Sequence, residues 1–201
     1  MKRGKTVKIV LTGGPCAGKS TLAEMLSRAY QNSLVNVPEA ASLLFSGGFP
    51  RFEGFESRMA TQRAIFQVQH ELECTYAAQF PNLALVLDRG TVDGAAYWPE
   101  GPDAFFSALG TSLEAELGRY DRVIYLESAA EKDYIVHRAA NPSRTESWEE
   151  ARRLDLATQK LWAHHPAFIM IHNQRAFSHK VSEVLSVVAG SIQENSRDEQ
   201  G

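Results

Sequence analysis

The sequence predicts a three-layer α/β/α sandwich, with an open, mostly parallel, five-stranded sheet covered by helices on both faces. Three observations carry that expectation. Five short apolar runs recur along the 201 residues. Segments of helical periodicity alternate with them, and a glycine-rich turn joins the first run to the first helix.

Val7 to Thr12 (VKIVLT) is a β-branched run that ends at glycines, as a buried parallel strand does. Ser20 to Tyr30 places Leu22, Met25, Leu26 and Ala29 at helical spacing. A second strand, Leu34 to Val37, stops at Pro38-Glu39, and a weak helix follows through Ala40, Leu43 and Leu44. After the flexible stretch Ser46 to Pro50, Glu56 to Gln79 contains no Gly or Pro and reads as one long helix.

Leu83 to Leu87 (LALVL) is the most apolar run and ends at Asp88. Gly and Pro break Gly90 to Gly118 into short helical pieces. Val123 to Leu126 is the fourth strand. Ala129 to His165 is polar and helical, interrupted at Asn141-Pro142-Ser143. Phe168 to Ile171 is the fifth strand. Ala176 to Ile192 is the last helix, with Val181, Val184, Leu185 and Val188 on one face. No repeat or linker divides the chain, so residues 1–193 are expected to form one domain, with 194–201 a polar, frayed tail.

Composition narrows the function classes. Hydrophobic residues at 44% and charged residues at 22% suit a globular core, and a formal charge of -3 argues against nucleic-acid binding by phosphate neutralisation. Cys16 and Cys74 form no metal-ligand pattern. Two thiols without a leader peptide predict a reduced, cytoplasmic protein, and no apolar run reaches the length of a membrane span.

Gly13-Gly14-Pro15-Cys16-Ala17-Gly18-Lys19-Ser20 fulfils G-x-x-x-x-G-K-[ST] between a strand and an amphipathic helix. The glycines let consecutive N–H groups point at one anion, and the helix adds the positive end of its dipole. Lys19 supplies a mobile charge for the β- and γ-phosphates of a nucleoside triphosphate. Ser20 can place its hydroxyl on Mg²⁺. Cys16, in the variable part of the loop, is a small packing residue on this reading.

Asp88, at the end of an apolar strand, is the candidate second metal ligand; capping the following turn is its structural alternative. Arg89 can touch a transferred or acceptor phosphate, or make a structural salt bridge, and Asp93 lies nearby. Glu39 ends its strand on the same edge of the sheet. It can take a proton from an acceptor hydroxyl, bind a substrate, or cap the helix beginning at Ala40. Arg138 and Arg144 flank the breaker Asn141-Pro142 and can close on the phosphates as parts of a lid; a solvated helix surface is the alternative. The six histidines show no ligand spacing.

Four stretches together carry a family resemblance: Leu11 to Thr21; Val37-Pro38-Glu39-Ala40-Ala41; Leu87-Asp88-Arg89-Gly90 with Asp93; and Asn141 to Arg144 with Glu146, Leu154-Asp155 and His165-Pro166. They span nearly the whole chain, which resembles the P-loop AAA-type, kinase-like ATPase domains related to the NadR nicotinamide-riboside kinase domain and to that of the TRPL translocation defect protein. The resemblance implies a nucleoside-kinase-like fold with the Asp88 strand beside the phosphate-loop strand and a helical lid. It also implies a base pocket near Asn173 and Gln174, with a lid arginine stacking on the base. The cofactor-binding set is then Gly13 to Thr21 with Asn173 and Gln174. The metal set is Ser20 and Asp88. The catalytic candidates are Lys19, Glu39, Asp88, Arg89, Arg138 and Arg144.

No Asn-Lys-x-Asp guanine motif occurs, which favours ATP over GTP, and no second arginine pattern of a ring-forming motor is present. The expected function is ATP- and Mg²⁺-dependent phosphoryl transfer to an unidentified small-molecule hydroxyl. A nucleotide-dependent ATPase or GTPase switch that binds a protein or lipid partner is the alternative. A nucleic-acid-end kinase is a third, disfavoured by the charge.

Overall fold

The computed structural model describes residues 6–14, 16–128, 147–173 and 177–198, the last five without their side chains. Five strands, β1 (Lys8–Gly13), β2 (Leu34–Val37), β3 (Ala84–Asp88), β4 (Arg122–Leu126) and β5 (Phe168–Ile171), form one sheet in the order β2-β3-β1-β4-β5. Every pairing is parallel, so the sheet is wholly rather than mostly parallel. Crossovers of this kind put helices on both faces, which is why the strands read as continuous apolar runs.

Among the described residues the helices are α1 (Lys19–Ala29), α2 (Ala40–Ser46), α3 (Phe55–Gln79), α4 (Pro102–Ala108), α5 (Leu113–Leu117), α6 (Trp148–Trp162) and α7 (Phe177–Asp198), with a 3₁₀ helix over Thr91–Tyr97. Side-chain alternation along the strands divides the core in two. Ile9, Leu11, Val86, Ile124 and Leu126 pack with Leu22 and Leu26 of α1 and Val184 and Val188 of α7. Val10, Leu85, Leu87, Val123 and Tyr125 face the other way, onto Phe66 of α3, Phe105 of α4 and Trp162 of α6. The three layers follow from period-2 alternation in strands buried on both sides.

Two helix ends differ from the sequence expectation. α6 stops at Trp162 rather than reaching His165. Pro166 disfavours helical backbone at the residue before it, and His165 Nδ1 instead accepts from the Ala167 N–H at 3.1 Å. α7 runs on past Ile192 to Asp198, because polar residues extend a helix whose apolar face is already docked. Among the described residues, no helix is long and apolar enough to cross a membrane.

Parallel strands put all five C-terminal ends on one edge. The glycine loop after β1, Glu39 after β2 and Asp88 at the end of β3 therefore meet above that edge, where open α/β sheets take their ligands. β3 lies beside β1, with Leu11 opposite Asp88.

Candidate active site

The loop after β1 is built on left-handed backbone: Gly13 has φ +136°, Cys16 +59° and Gly18 +88°. A side chain at Gly13 would overlap the backbone carbonyl of Leu126. At Gly14 it would meet Ser128 Oγ and come within 2.6 Å of the Asp155 carboxylate. The glycines are thus needed for close approach of β4 and α6 as well as for backbone curvature. Cys16 has the conformational role its variable position does not reveal, since a non-glycine residue at positive φ is uncommon.

Lys19 curls back over the loop, its Nζ donating to Gly13 O at 3.0 Å and Gly14 O at 2.8 Å. Burial, aided by the nearby Arg89 guanidinium, lowers its pKa to about 8, against the pull of Asp88, Glu39 and Asp93. A buried ammonium satisfied by two carbonyls is held ready for an anion. Ser20 Oγ, one residue on, donates to Asp88 Oδ2 at 3.2 Å.

Asp88 Oδ1 is buried with no hydrogen-bond partner among the described residues. Burial raises the Asp88 pKa, although Lys19 opposes it. An orphaned carboxylate oxygen beside a serine hydroxyl is a donor set that suits a hard, oxygen-seeking cation such as Mg²⁺. Among the described residues no group of three or more His, Cys, Asp or Glu gathers into a possible metal site, so a cation here would rest on Asp88, Ser20 and the phosphate oxygens it binds.

Arg89 adopts φ +73°. Its N–H donates to Leu11 O at 3.1 Å, and its carbonyl accepts from Gln69 Nε2 at 3.3 Å. The guanidinium faces two carboxylates, with Nε on Glu39 Oε1 at 2.6 Å and an Nη1–Asp93 Oδ1 contact of 2.9 Å. Burial works against its charge, but Glu39, Asp93 and Asp88 outweigh that and hold it protonated. Glu39 feels burial upward and Arg89 downward, with Arg89 and a Ser42 hydrogen bond prevailing, so its pKa is lowered. Its backbone occupies the N-cap position of α2, yet its side chain makes no cap hydrogen bond. The carboxylate is turned to the arginine.

Asp93 is the residue whose weight the sequence understates. Its Oδ1 accepts from Thr12 Oγ1 at 2.7 Å as well as from Arg89. Its Oδ2 accepts from Gly90 N at 3.1 Å and Trp162 Nε1 at 3.0 Å. One buried carboxylate thereby ties β1, the Arg89 turn and α6 together. Its spacings of four from Arg89 and three from Gly90 are local; Thr12 and Trp162 are 81 and 69 residues away.

Asn173 lies just beyond β5, its N–H donating to Glu127 Oε2 at 2.7 Å and its Nδ2 to Ser128 O at 3.5 Å. Ser128 in turn donates to Asp155 Oδ2 at 2.7 Å, next to Gly14. The described part of the expected base-side region is thus connected to the phosphate loop. Ala17 is buried and Thr21 exposed in the first turn of α1. Pro15, Arg138, Arg144 and Gln174 lie outside the described residues.

A loop of this geometry, with Lys19, Ser20 and Asp88 converging on it, is a P-loop, and a family model described as an AAA domain matches residues 8–178. The chain belongs to the AAA domain family. The AAA domain match takes in the entire cluster from Gly13 to Asn173. Among solved structures, this AAA domain is similar to the structure of deoxyadenosine kinase from M. mycoides with bound dATP. The TM-score is 0.63 and the identity 13%, covering 91% of this chain and 99% of that one. At that identity the likeness establishes the fold: a P-loop, nucleoside-kinase-like α/β domain. No curated protein matches the sequence significantly.

Proposed function

We propose that this AAA domain binds ATP with Mg²⁺ and transfers the γ-phosphate to a hydroxyl of a small nucleoside- or metabolite-type acceptor. The observation that carries the reading is the Glu39–Arg89 pair at 2.6 Å, set beside Lys19 and Asp88 above the C-terminal edge of the sheet. A fold shared with a protein described as a deoxyadenosine kinase with bound dATP agrees with it.

The backbone N–H groups of the loop and the ammonium of Lys19 would bind the phosphates. Asp88 and Ser20 would hold the metal, which when bound neutralises charge on the phosphate oxygens. Arg89 keeps Glu39 ionised at neutral pH, so Glu39 can take the acceptor's proton as the hydroxyl oxygen attacks. The guanidinium then has a second task, because loss of the Glu39 charge on protonation frees its Nε face for a phosphoryl oxygen. Phosphoryl transfer asks for positioning and charge stabilisation more than covalent chemistry, and this cluster offers both. Absence of an Asn-Lys-x-Asp motif favours adenine as the donor base.

A thermal-shift titration with ATP, GTP and Mg²⁺, run beside Lys19→Ala, tests the binding half. A ligand at a hundred times its dissociation constant stabilises by about 2.7 kcal/mol. The reading expects such a shift with ATP in the parent and its loss in Lys19→Ala. No ATP shift in the parent removes the proposal. Acceptor-independent hydrolysis alone would favour the nucleotide switch instead.

A further inference from the structure

We propose that Phe177, the first residue of α7, is the stacking platform for the purine ring of the triphosphate whose phosphates occupy the Gly13–Ser20 loop. This rests on the reading of that loop as a triphosphate site and adds a residue outside its motif. The ring edge of Phe177 lies against Gly18, where an added Cβ would sit 2.8 Å from it. Gly18 therefore leaves the ring flush on the loop backbone.

The remainder of the ring is open, with Phe177 43% exposed. An aromatic side chain left in water forgoes about 25 cal/mol for each Å² it fails to bury. The contact with Gly18 sets the ring beside the phosphate loop, and a base tethered to the phosphates through one ribose would cover its open part. Of the exposed large apolar side chains among the described residues, Phe177 is the one whose ring lies nearest a loop glycine.

A second observation fixes the ring in place. Lys180 lies in the same helical turn as Phe177 and is buried. Its Nζ donates to Ala17 O at 3.4 Å and to Glu127 O at 3.2 Å. A cation in the first turn of a helix works against the helix dipole, and burying an ammonium costs more still. The gain is a clamp from α7 to the carbonyl of Ala17 in the phosphate loop and to the end of β4, carrying Phe177 with it. A π-face accepts any base, so this platform supplies affinity for purines without choosing between adenine and guanine.

Binding of ATP, GTP and inorganic tripolyphosphate, each with Mg²⁺, measured calorimetrically on parent, Phe177→Ala and Phe177→Trp, tests this. Stacking on one base is worth about 1–3 kcal/mol. Phe177→Ala is expected to weaken ATP and GTP alike by about 5- to 150-fold and to leave tripolyphosphate unchanged, and Phe177→Trp to restore both nucleotides. Unchanged ATP affinity in Phe177→Ala overturns the inference. So does an equal loss for tripolyphosphate, which would make the ring a prop for the loop. A parent that binds neither ATP nor tripolyphosphate overturns the loop reading and this inference with it; a parent that binds both equally overturns the stacking alone.

Discussion

Arg89 Nε meets Glu39 Oε1 at 2.6 Å although the two residues are 50 positions apart. The pair joins the ends of two adjacent strands, β2 and β3, and its carboxylate is not spent on capping α2. Arg89 also reaches Asp93, so the guanidinium bridges a candidate base and a buried hub.

Replacing Glu39 separates chemistry from binding. Glu39→Gln keeps the size of the side chain and removes the proton acceptor. It is expected to lower kcat by about 10²- to 10⁴-fold with ATP affinity within a few-fold of the parent. Steady-state kinetics and calorimetric ATP binding check both halves. A variant with parental kcat would remove Glu39 from the mechanism.

Asp93 faces four donors and has no lone pair to spare. Asp93→Asn puts an amide NH₂ toward some of those donors, leaving them unpaired in the core. Breaking one partner of a buried charge pair costs about 3–5 kcal/mol. A loss of that size is expected in urea denaturation; Trp162→Phe, which removes one donor to Asp93 and leaves a cavity at a fully buried site, is expected to cost about 2 kcal/mol or more.

Lys19 links pH to both stability and binding. Its ordinary pKa of 10.5 falls to about 8 in the fold. Between these values the unfolded chain binds the proton and the folded one does not, so stability rises with pH across that window. Below about 8 the cost of the buried charge is fully present; above 10.5 it is gone. The contribution is on the order of 3 kcal/mol. Urea denaturation of the parent from pH 7 to 10.5 should show this gain, and Lys19→Met should lack it. ATP affinity should move oppositely, falling above pH 8 as the ammonium is lost.

Much of the fold was legible because parallel strands buried on both faces declare themselves as apolar runs, and the loop declares itself by spacing. Lys19, Ser20 and Asp88 lie together at the C-terminal edge of the sheet. Asp93 was visible only as a neighbour of Arg89, since Thr12 and Trp162 reach it through the tertiary fold. Asp155 and Lys180 brace the loop from α6 and α7; Asp155 was marked only through the family resemblance, with Leu154, and Lys180 carries no local pattern at all. Their role depends on two backbone segments meeting across the sheet edge. Helix ends proved less legible than helix faces, because Pro166 and polar extension act outside the apolar period.

The glycines of the loop should differ in cost. A methyl group at Gly13 meets the Leu126 carbonyl, which belongs to the central sheet, and the left-handed φ adds strain. At Gly14 the obstacles are the side chains of Ser128 and Asp155, which can rotate. Gly13→Ala is therefore expected to destabilise by about 2 kcal/mol or more, and Gly14→Ala by less. The Gly14 penalty should shrink further in Gly14→Ala/Ser128→Ala, measured by chemical denaturation.

The most direct measurement follows the fate of the γ-phosphate. ATP labelled in that group would be incubated with the protein, Mg²⁺ and a panel of nucleosides and hydroxyl-bearing metabolites, and the products separated. Label is expected on an organic acceptor in one-to-one proportion with ADP, abolished in Lys19→Ala and strongly slowed in Glu39→Gln. Label released only as inorganic phosphate, at a rate no acceptor changes, would contradict it.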